Sequence, residues 1–414
     1  MNSVPDGRPG SSVVIVGTGV AGITGAETLR ANGFDGSITV FGEEPHLPYR
    51  RTALSKGILD GDVSDAKITL RPPGYWDERG IRIVPSVRVT GVDAASRTVE
   101  LADGSVVGYD ALVLATGGTA RHLPGAPSDL LSLRTRHDID RARARIDSGP
   151  VVIVGGGLIG LEIAAAVASS EQRAGPTGQI TVLEAAGSLL SRVVPDTVAE
   201  AVATLHRDRG VQIVTDARIT AADAGEVTLS DGTRVTGTVI GAIGMQPDTA
   251  LADAAGLRVS PAGIVVDEAL RTSTPGIYAA GDVAARPHPL TGEPMRAEQW
   301  LTATEHGKLV AMTIAADLGL ATGPSTPIPR VPLAWSMQYS SNIQMVGWPA
   351  MANRFDMDVD ASTGSGTCAD GFAATVRCFD DDRLVGAVCM GRGGAGRALR
   401  TEIEDTLEPV GAAG

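Results

Sequence analysis

The segment VVIVGTGVAG at 13–22 returns as VVIVGGGLIG at 151–160, and no other feature narrows the possible folds so far. In each copy four apolar residues run into a Gly-x-Gly-x-x-Gly turn. Gly17, Gly19 and Gly22 form the first turn; Gly155, Gly157 and Gly160 form the second. Helix-forming sequence follows both, with Ala21–Ala31 as the first expected helix and a run opening on Leu158 and Ile159 as the second. Strand, glycine turn and helix in that order open a βαβ unit. The first glycine makes the tight turn, the second lets a pyrophosphate approach the backbone, and the third lets helix pack on strand. The helix start then offers free N–H groups and positive partial charge to phosphates. Each copy therefore predicts one dinucleotide, and the chain predicts two.

The residues after each turn repeat as well. SITVFGEE at 37–44 reads as a second strand with Glu43 at its end, and QITVLEAAGSLL at 179–190 as another with Glu184. An acid there accepts hydrogen bonds from ribose hydroxyls and repels a 2′-phosphate, so the second site is expected to prefer NADH over NADPH. Arg192, eight residues on, argues the other way, because its side chain can fold back toward a phosphate. Hairpin turns at ADG (102–104) and SDG (230–232) follow the two units. TPGIYAAGDVA at 274–284 is a further strand and turn ending in Asp282, and 297–318 is strongly helical. GLATGPSTPIPRVP at 319–332 reads as a linker. The β-type runs beyond it predict a small α+β cap with a glycine-rich end.

The fold class expected is α/β, with two Rossmann-like dinucleotide-binding domains and a C-terminal α+β domain. The first dinucleotide domain is expected to be discontinuous, 12–121 and 244–322; the second is 122–243; the last domain is 323–414. Composition excludes several alternatives. The net charge of −13 over 414 residues does not suit nucleic acid, whose phosphates need a basic face. No apolar run reaches bilayer length, and MNSVPDGRPGSS at the start lacks a signal-peptide core. It reads as a frayed tail on a cytoplasmic protein. The three cysteines, Cys368, Cys378 and Cys389, form no CxxC pair and suit no zinc site, so no metal is expected.

Two dinucleotides in one chain imply FAD beside NAD, with hydride passing from nicotinamide to flavin N5. VVIVGTGVAG, LPYRRTALSK, LVLATGGTAR, VVIVGGGLIGLE, IGMQPDTALADAAGL, GIYAAGDVA and WSMQY together resemble the NADH-dependent, FAD-containing ferredoxin reductases of the putidaredoxin and rubredoxin reductase type. The likeness runs from about Val13 to Tyr339 and implies the glutathione-reductase fold. It further implies FAD contacts from Ala21, Glu43, Arg51, Lys56, Val89, Arg134 and Asp282. Thr116 and Gly117 would mark the crossing between domains, and Gly244 would border the NAD site. Lys56 and Glu162 would meet near flavin N5 as the catalytic pair; the alternative is two surface residues in separate helices. Trp335 would stand beside the flavin on the electron-exit side, or else fill the core of the cap.

Relatives of this fold that reduce disulfides carry a redox cysteine near the first unit. GEEPHLPYRRTALSK at 42–56 has none, so electrons are expected to leave the flavin directly. A one-electron iron–sulfur ferredoxin is the natural acceptor. Arg134, Arg136, Arg141, Arg143 and Arg145 form either a steering face for such a partner or an ordinary solvated helix. The chain departs from the family pattern at Thr52 and Ala53, at Met337 in place of an acid, at Trp300 beside the flavin position, and at Glu305 and His306. These departures keep two alternatives open: direct two-electron reduction of a small organic acceptor or O2, and an NADH-sensing flavoprotein. Monomer and homodimer both remain open.

Overall fold

A computed structural model describes residues 11–57, 64–146, 149–170, 179–320, 328–359, 373–391 and 395–407. Residues 1–10 of the expected N-terminal tail, half of the Gly/Pro linker (321–327), Cys368, 392–394 and 408–414 lie outside the described residues; Ser12, read as part of the tail, opens the first strand. The chain divides into two compact units. One comprises 1–50, 65–119 and 246–330; the other comprises 51–64, 120–245 and 331–414.

In the first unit a parallel sheet has the strand order Ile277–Ala279, Ala111–Leu114, Ser12–Val16, Ser37–Phe41, Ile81–Val84. Its central strands are continuous apolar runs because both faces are covered, as parallel sheets require. In the second unit the order is Val211–Val214, Ile180–Leu183, Val151–Val154, Thr238–Gly241, Leu131–Ser132, again parallel. A three-stranded antiparallel sheet accompanies each: Val89–Asp93, Thr98–Leu101 and Val106–Gly108 in the first, Ile219–Ala222, Glu226–Leu229 and Arg234–Thr236 in the second. The repeat read in the sequence is thus a repeat of two whole sheet systems. It breaks only at one edge, where the outer strand comes late in the chain in the first unit and early in the second.

The second unit also holds a five-stranded antiparallel sheet, ordered Leu333–Gln338, Ser341–Gly347, Arg383–Met390, Ala374–Asp380, Arg354–Val359. Helix Ala395–Glu404 completes the α+β part and buries Leu399 and Ile403. Cys378 and Cys389 are buried in this sheet, and burial pushes the Cys378 thiol up to about 12. Among the described residues no helix is long and apolar enough to cross a membrane.

The first glycine turn feeds helix Val20–Ala31, which lies against helix Trp300–Asp317 at a crossing of small residues. A Cβ on Gly25 would stand 3.5 Å from the Gly307 carbonyl oxygen. One on Gly307 would fall 2.5 Å from Ala21 O and 3.0 Å from Gly25 N. Backbone occupies the space in the second case, so nothing can yield. Gly307→Ala is therefore expected to lower stability by about 1–3 kcal/mol, read as a fall in the thermal midpoint, whereas Gly33→Ala, whose added Cβ meets nothing, tests only the strain of its positive φ.

Candidate functional site: two glycine cradles and a buried carboxylate

Both turns are built under one steric rule. Gly17 and Gly155 have φ of +119° and +114°, and a Cβ on either would collide with a neighbouring strand's carbonyl, Ala115 O or Ala242 O. A Cβ on Gly22 or Gly160 would strike the oxygen of its own turn's first glycine. Gly19 and Gly157 differ: an added Cβ there meets nothing. These two glycines are the N-caps of helices Val20–Ala31 and Leu158–Ala168. Neither helix has a side-chain cap or an acid in its first turn, so their first N–H groups face an open, uncrowded cradle. That is what a dinucleotide pyrophosphate needs, and both sites fit one. Ile159, in the first turn of the second helix, is exposed at 47%; Leu158 beside it is half-buried.

The two acids are not equivalent. Gly17 N donates to Phe41 O and Gly155 N to Leu183 O. Gly42 N donates to Val84 O and Glu184 N to Val214 O. Gly42, not Glu43, is thus the counterpart of Glu184. Glu184 accepts from the N–H of Gly156 at 2.7 Å and of Ala186 at 2.8 Å, which fixes it against the glycine turn. Glu43, one residue further out, is exposed and sits 3.2 Å from Arg88. Arg192 is exposed, and Gly244 has φ +97° with open space around its Cα.

Other residues of the first unit fall as follows. Ala21 is buried beneath the cradle, where a Cβ on Gly281 would come within 2.9 Å of its methyl. Gly281 opens the short turn Gly281–Val283 that carries Asp282. The Gly281 N–H donates to His306 Nδ1 at 3.2 Å. His306 is buried, and desolvation followed by the nearby Arg286 charge lowers it to about 3. Its neighbour Glu305 is also buried. Trp300 begins the long helix, half-buried. Val89 is buried at the head of its strand. Thr116 Oγ1 donates to Asp248 O at 2.7 Å, and Asp248 N donates to Gly117 O at 3.1 Å, tying the two chain crossings together.

In the second unit Lys56 Nζ lies 2.9 Å from Glu162 Oε2. Glu162 is on helix Leu158–Ala168 and only 5% exposed, so it is no surface residue. Lys56 sits in the turn after the short 3-10 segment Arg51–Ala53, which contains Thr52. A carboxylate so deeply desolvated needs donors. Ser55 Oγ donates to Glu162 Oε2 and Ser336 Oγ to Glu162 Oε1 at 2.7 Å. Behind Ser336 the polar contacts continue. Gln338 Nε2 donates to Ser336 Oγ at 3.3 Å, His206 Nε2 is 3.0 Å from Gln338 Oε1, and Tyr339 Oη is 3.1 Å from His206 Nδ1. Ser336, Gln338 and His206 are fully buried. Burial, offset in part by the Gln338 bond, lowers His206 to about 4. Tyr339 has φ +54° in the two-residue hairpin turn, a conformation a bulky residue avoids, and its ring is covered by Arg209 at 4.3 Å.

Ser55, Ser336, Gln338, His206 and Tyr339 were not singled out from the sequence. The signal was present: in LAWSMQ the polar Ser336 and Gln338 alternate with Trp335 and Met337, and alternation in a strand assigns them to opposite faces. The same alternation corrects one expectation. Trp335 does not fill the core of the cap; it is 44% exposed, on the outer face with Met337. The arginine-rich segment forms helix Arg136–Arg145, started by a Thr135/Asp138 capping box. Arg141 donates to Asp129 O and Arg143 to Gly57 O, and Arg145 lies 3.7 Å from Asp129 Oδ2, so three of its guanidiniums are engaged locally; Arg51 donates to the Arg134 carbonyl. Among the described residues no cluster of His, Cys, Asp or Glu is placed to hold a metal.

A family model described as pyridine nucleotide-disulphide oxidoreductase matches residues 11–307. A rhodocoxin reductase of Rhodococcus erythropolis is 34% identical over 411 residues, 96% of this chain and 91% of that one. Putidaredoxin reductase CamA of Pseudomonas putida is 35% identical, covering 81% of this chain and 80% of its own. The reductase in a solved covalent putidaredoxin reductase–putidaredoxin complex superposes with a TM-score of 0.84 at 32% identity, covering 95% of this chain and 93% of that one.

His206 and His306 stay neutral when folded, so as pH falls below their ordinary 6.5 only the unfolded chain takes up protons there. The stability they contribute is full above pH 6.5 and is lost down to about pH 4 for His206 and about 3 for His306. For His206 the loss is on the order of 3 kcal/mol. Urea midpoints measured from pH 8 to pH 4 are expected to fall on the acid side, and His206→Gln should flatten part of that fall.

Proposed function

The chain belongs to the pyridine nucleotide-disulphide oxidoreductase family, and on that premise we propose that it is an NADH-dependent flavoprotein reductase. It takes electrons from NADH through FAD to an iron–sulfur ferredoxin, which in turn serves a cytochrome P450 or another oxygenase. The observation that carries this reading is the doubled cradle: two uncapped helix starts, each opening on a glycine whose Cβ position is empty.

FAD, when bound, supplies the step from paired to single electrons. The chain's own residues bind and orient. Gly17, Gly19, Ala21 and Gly22 form the FAD cradle, Glu43 meets its ribose, and Asp282 bonds the ribityl chain on a turn held by His306. Arg51, Val89, Thr116, Gly117, Arg134, Trp300 and Trp335 complete the FAD contacts. Gly155, Gly157, Leu158, Ile159 and Gly160 cradle NADH, with Glu184 on its ribose and Arg192 and Gly244 at the rim. Lys56, anchored by Glu162, places a cation near the flavin ring. We assign 12–121 and 244–322 to the FAD domain, 122–243 to the NAD domain and 323–414 to the C-terminal domain. A cytoplasmic location is the finer reading, since NADH and reduced ferredoxins are used there.

The chain's three cysteines support direct exit of electrons. None precedes residue 368, so no thiol stands near either cradle in sequence. One observation favours a second reading: Trp335 and Met337 are both exposed apolar residues, and Met337 stands where the resembled family pattern has an acid, which suits a small organic acceptor or O2.

Anaerobic stopped-flow mixing decides between them. NADH should bleach the yellow protein, added ferredoxin should restore the colour, and cytochrome c should be reduced only when ferredoxin is present. Steady turnover with no protein acceptor would favour the second reading. Gly19→Val should leave the fold intact, because its Cβ meets open space, yet purify without flavin. Glu184→Ala should erode the NADH preference over NADPH by about tenfold, a change of about 1.4 kcal/mol, measured as the ratio of kcat/KM values.

A further inference from the structure

An ion pair between Lys56 and Glu162 does not by itself require what lies behind it. Three more side chains extend inward from Ser336, and three of the four groups involved have no exposed surface. The donors in this chain can be assigned from the chemistry of each atom. Glu162 Oε1 only accepts, so Ser336 donates to it. The Gln338 amide nitrogen only donates, so it gives to Ser336 Oγ. Gln338 Oε1 only accepts, so His206 Nε2 carries the proton. The neutral ring then has a bare Nδ1, which accepts from Tyr339 Oη. All four bonds run in one direction, toward the carboxylate.

We infer that Gln338 and His206 are positioning residues for the Lys56 ammonium. They hold the Ser336 hydroxyl on one oxygen of Glu162, so that only the other is left for Lys56. The inference rests on the reading that Lys56 faces the flavin. The geometry gives the reason. Ser336 takes Oε1, while Ser55 and Lys56 share Oε2. Lys56 is left with a side chain 36% exposed, its ammonium on the outer side of the buried carboxylate. Without the Ser336 donor, Oε1 becomes the nearest vacant acceptor, and the ammonium turns inward to bridge both oxygens. An amide cannot readily pass a proton along, so the chain orients groups and does not conduct.

Two measurements on the holoprotein test this. The first is the tautomer of His206, read by long-range proton–nitrogen NMR on histidine-labelled protein and assigned by the loss of its signal in His206→Leu. An Nε2-protonated neutral ring is expected; an Nδ1-protonated ring overturns the inference. The second is the flavin reduction potential, equilibrated against reference dyes. A cation drawn away from the ring disfavours the reduced flavin. His206→Leu, Gln338→Leu and Ser336→Ala should each lower the two-electron equilibrium about tenfold, or about 30 mV. Lys56→Met should lower it further. His206→Gln, which keeps one donor and one acceptor, should restore the wild-type potential, a rescue that a space-filling role would not produce. If Lys56→Met leaves the potential unchanged, the reading that Lys56 faces the flavin fails, and the inference with it. If Lys56→Met shifts the potential while folded Gln338→Leu and Ser336→Ala do not, the inference alone falls. Should His206→Leu not fold, those two variants and the wild-type tautomer still decide it.

Discussion

Everything in this protein depends on how closely backbone approaches backbone at two turns. At Gly17 and Gly155 the chain passes a neighbouring strand's carbonyl with no room for a single extra carbon. That proximity lets the strand end and the helix begin within three residues. The helix start therefore points its unpaired N–H groups into the space above the sheet's carboxyl end, where α/β sheets bind ligands. The open Cβ positions at Gly19 and Gly157 are the other half of the same arrangement. Crowding on one side of the turn and emptiness on the other both call for glycine, which is why both turns carry the same spacing.

This constraint also explains what was legible in the sequence. The two parallel sheets were readable because a buried strand before a glycine turn leaves few alternatives. The family resemblance was readable from contiguous motifs and agrees with the family found. The polar residues around Glu162 were harder. Ser55, Ser336 and His206 are far apart in sequence and carry no shared spacing. His206 sits on the apolar face of helix Asp196–Arg207 among Val198, Val202 and Leu205, where a histidine reads as an ordinary core position. Only the strand alternation of Trp335, Ser336, Met337 and Gln338 held the information, and the aromatic residue drew attention to the opposite face. Trp335 was visible as unusual; the residue beside it, pointing inward, does more for the carboxylate.

The offset between Glu43 and Glu184 is a related case. Both follow an apolar strand, and by counting they look alike. The backbone hydrogen bonds show a one-residue difference, with glycine at 42 where the second unit has its acid. Glu184 is pinned by two backbone N–H groups against its own turn, whereas Glu43 reaches outward to Arg88. A pinned carboxylate discriminates by its fixed charge and position. A carboxylate held only by an exposed arginine turns more easily to whatever approaches. The two units therefore share a frame while differing in how strictly each acid is held.

A family named for disulphide chemistry contains here a chain whose described cysteines lie in the C-terminal sheet, both fully buried. A thiol raised to about 12 by burial is neither a nucleophile nor a relay at neutral pH. On the function proposed above, the protein's share of the redox work is electrostatic: where positive charge stands relative to a flavin, and how firmly. A lone, partly exposed lysine would wander among rotamers, and its carboxylate partner would be costly to bury. Surrounding Glu162 with hydroxyl donors solves both problems at once, because each bond that stabilises the buried charge also removes a direction in which the ammonium could move. Through Glu162, the position of one cation thus comes to depend on hydroxyl groups that do not bond it.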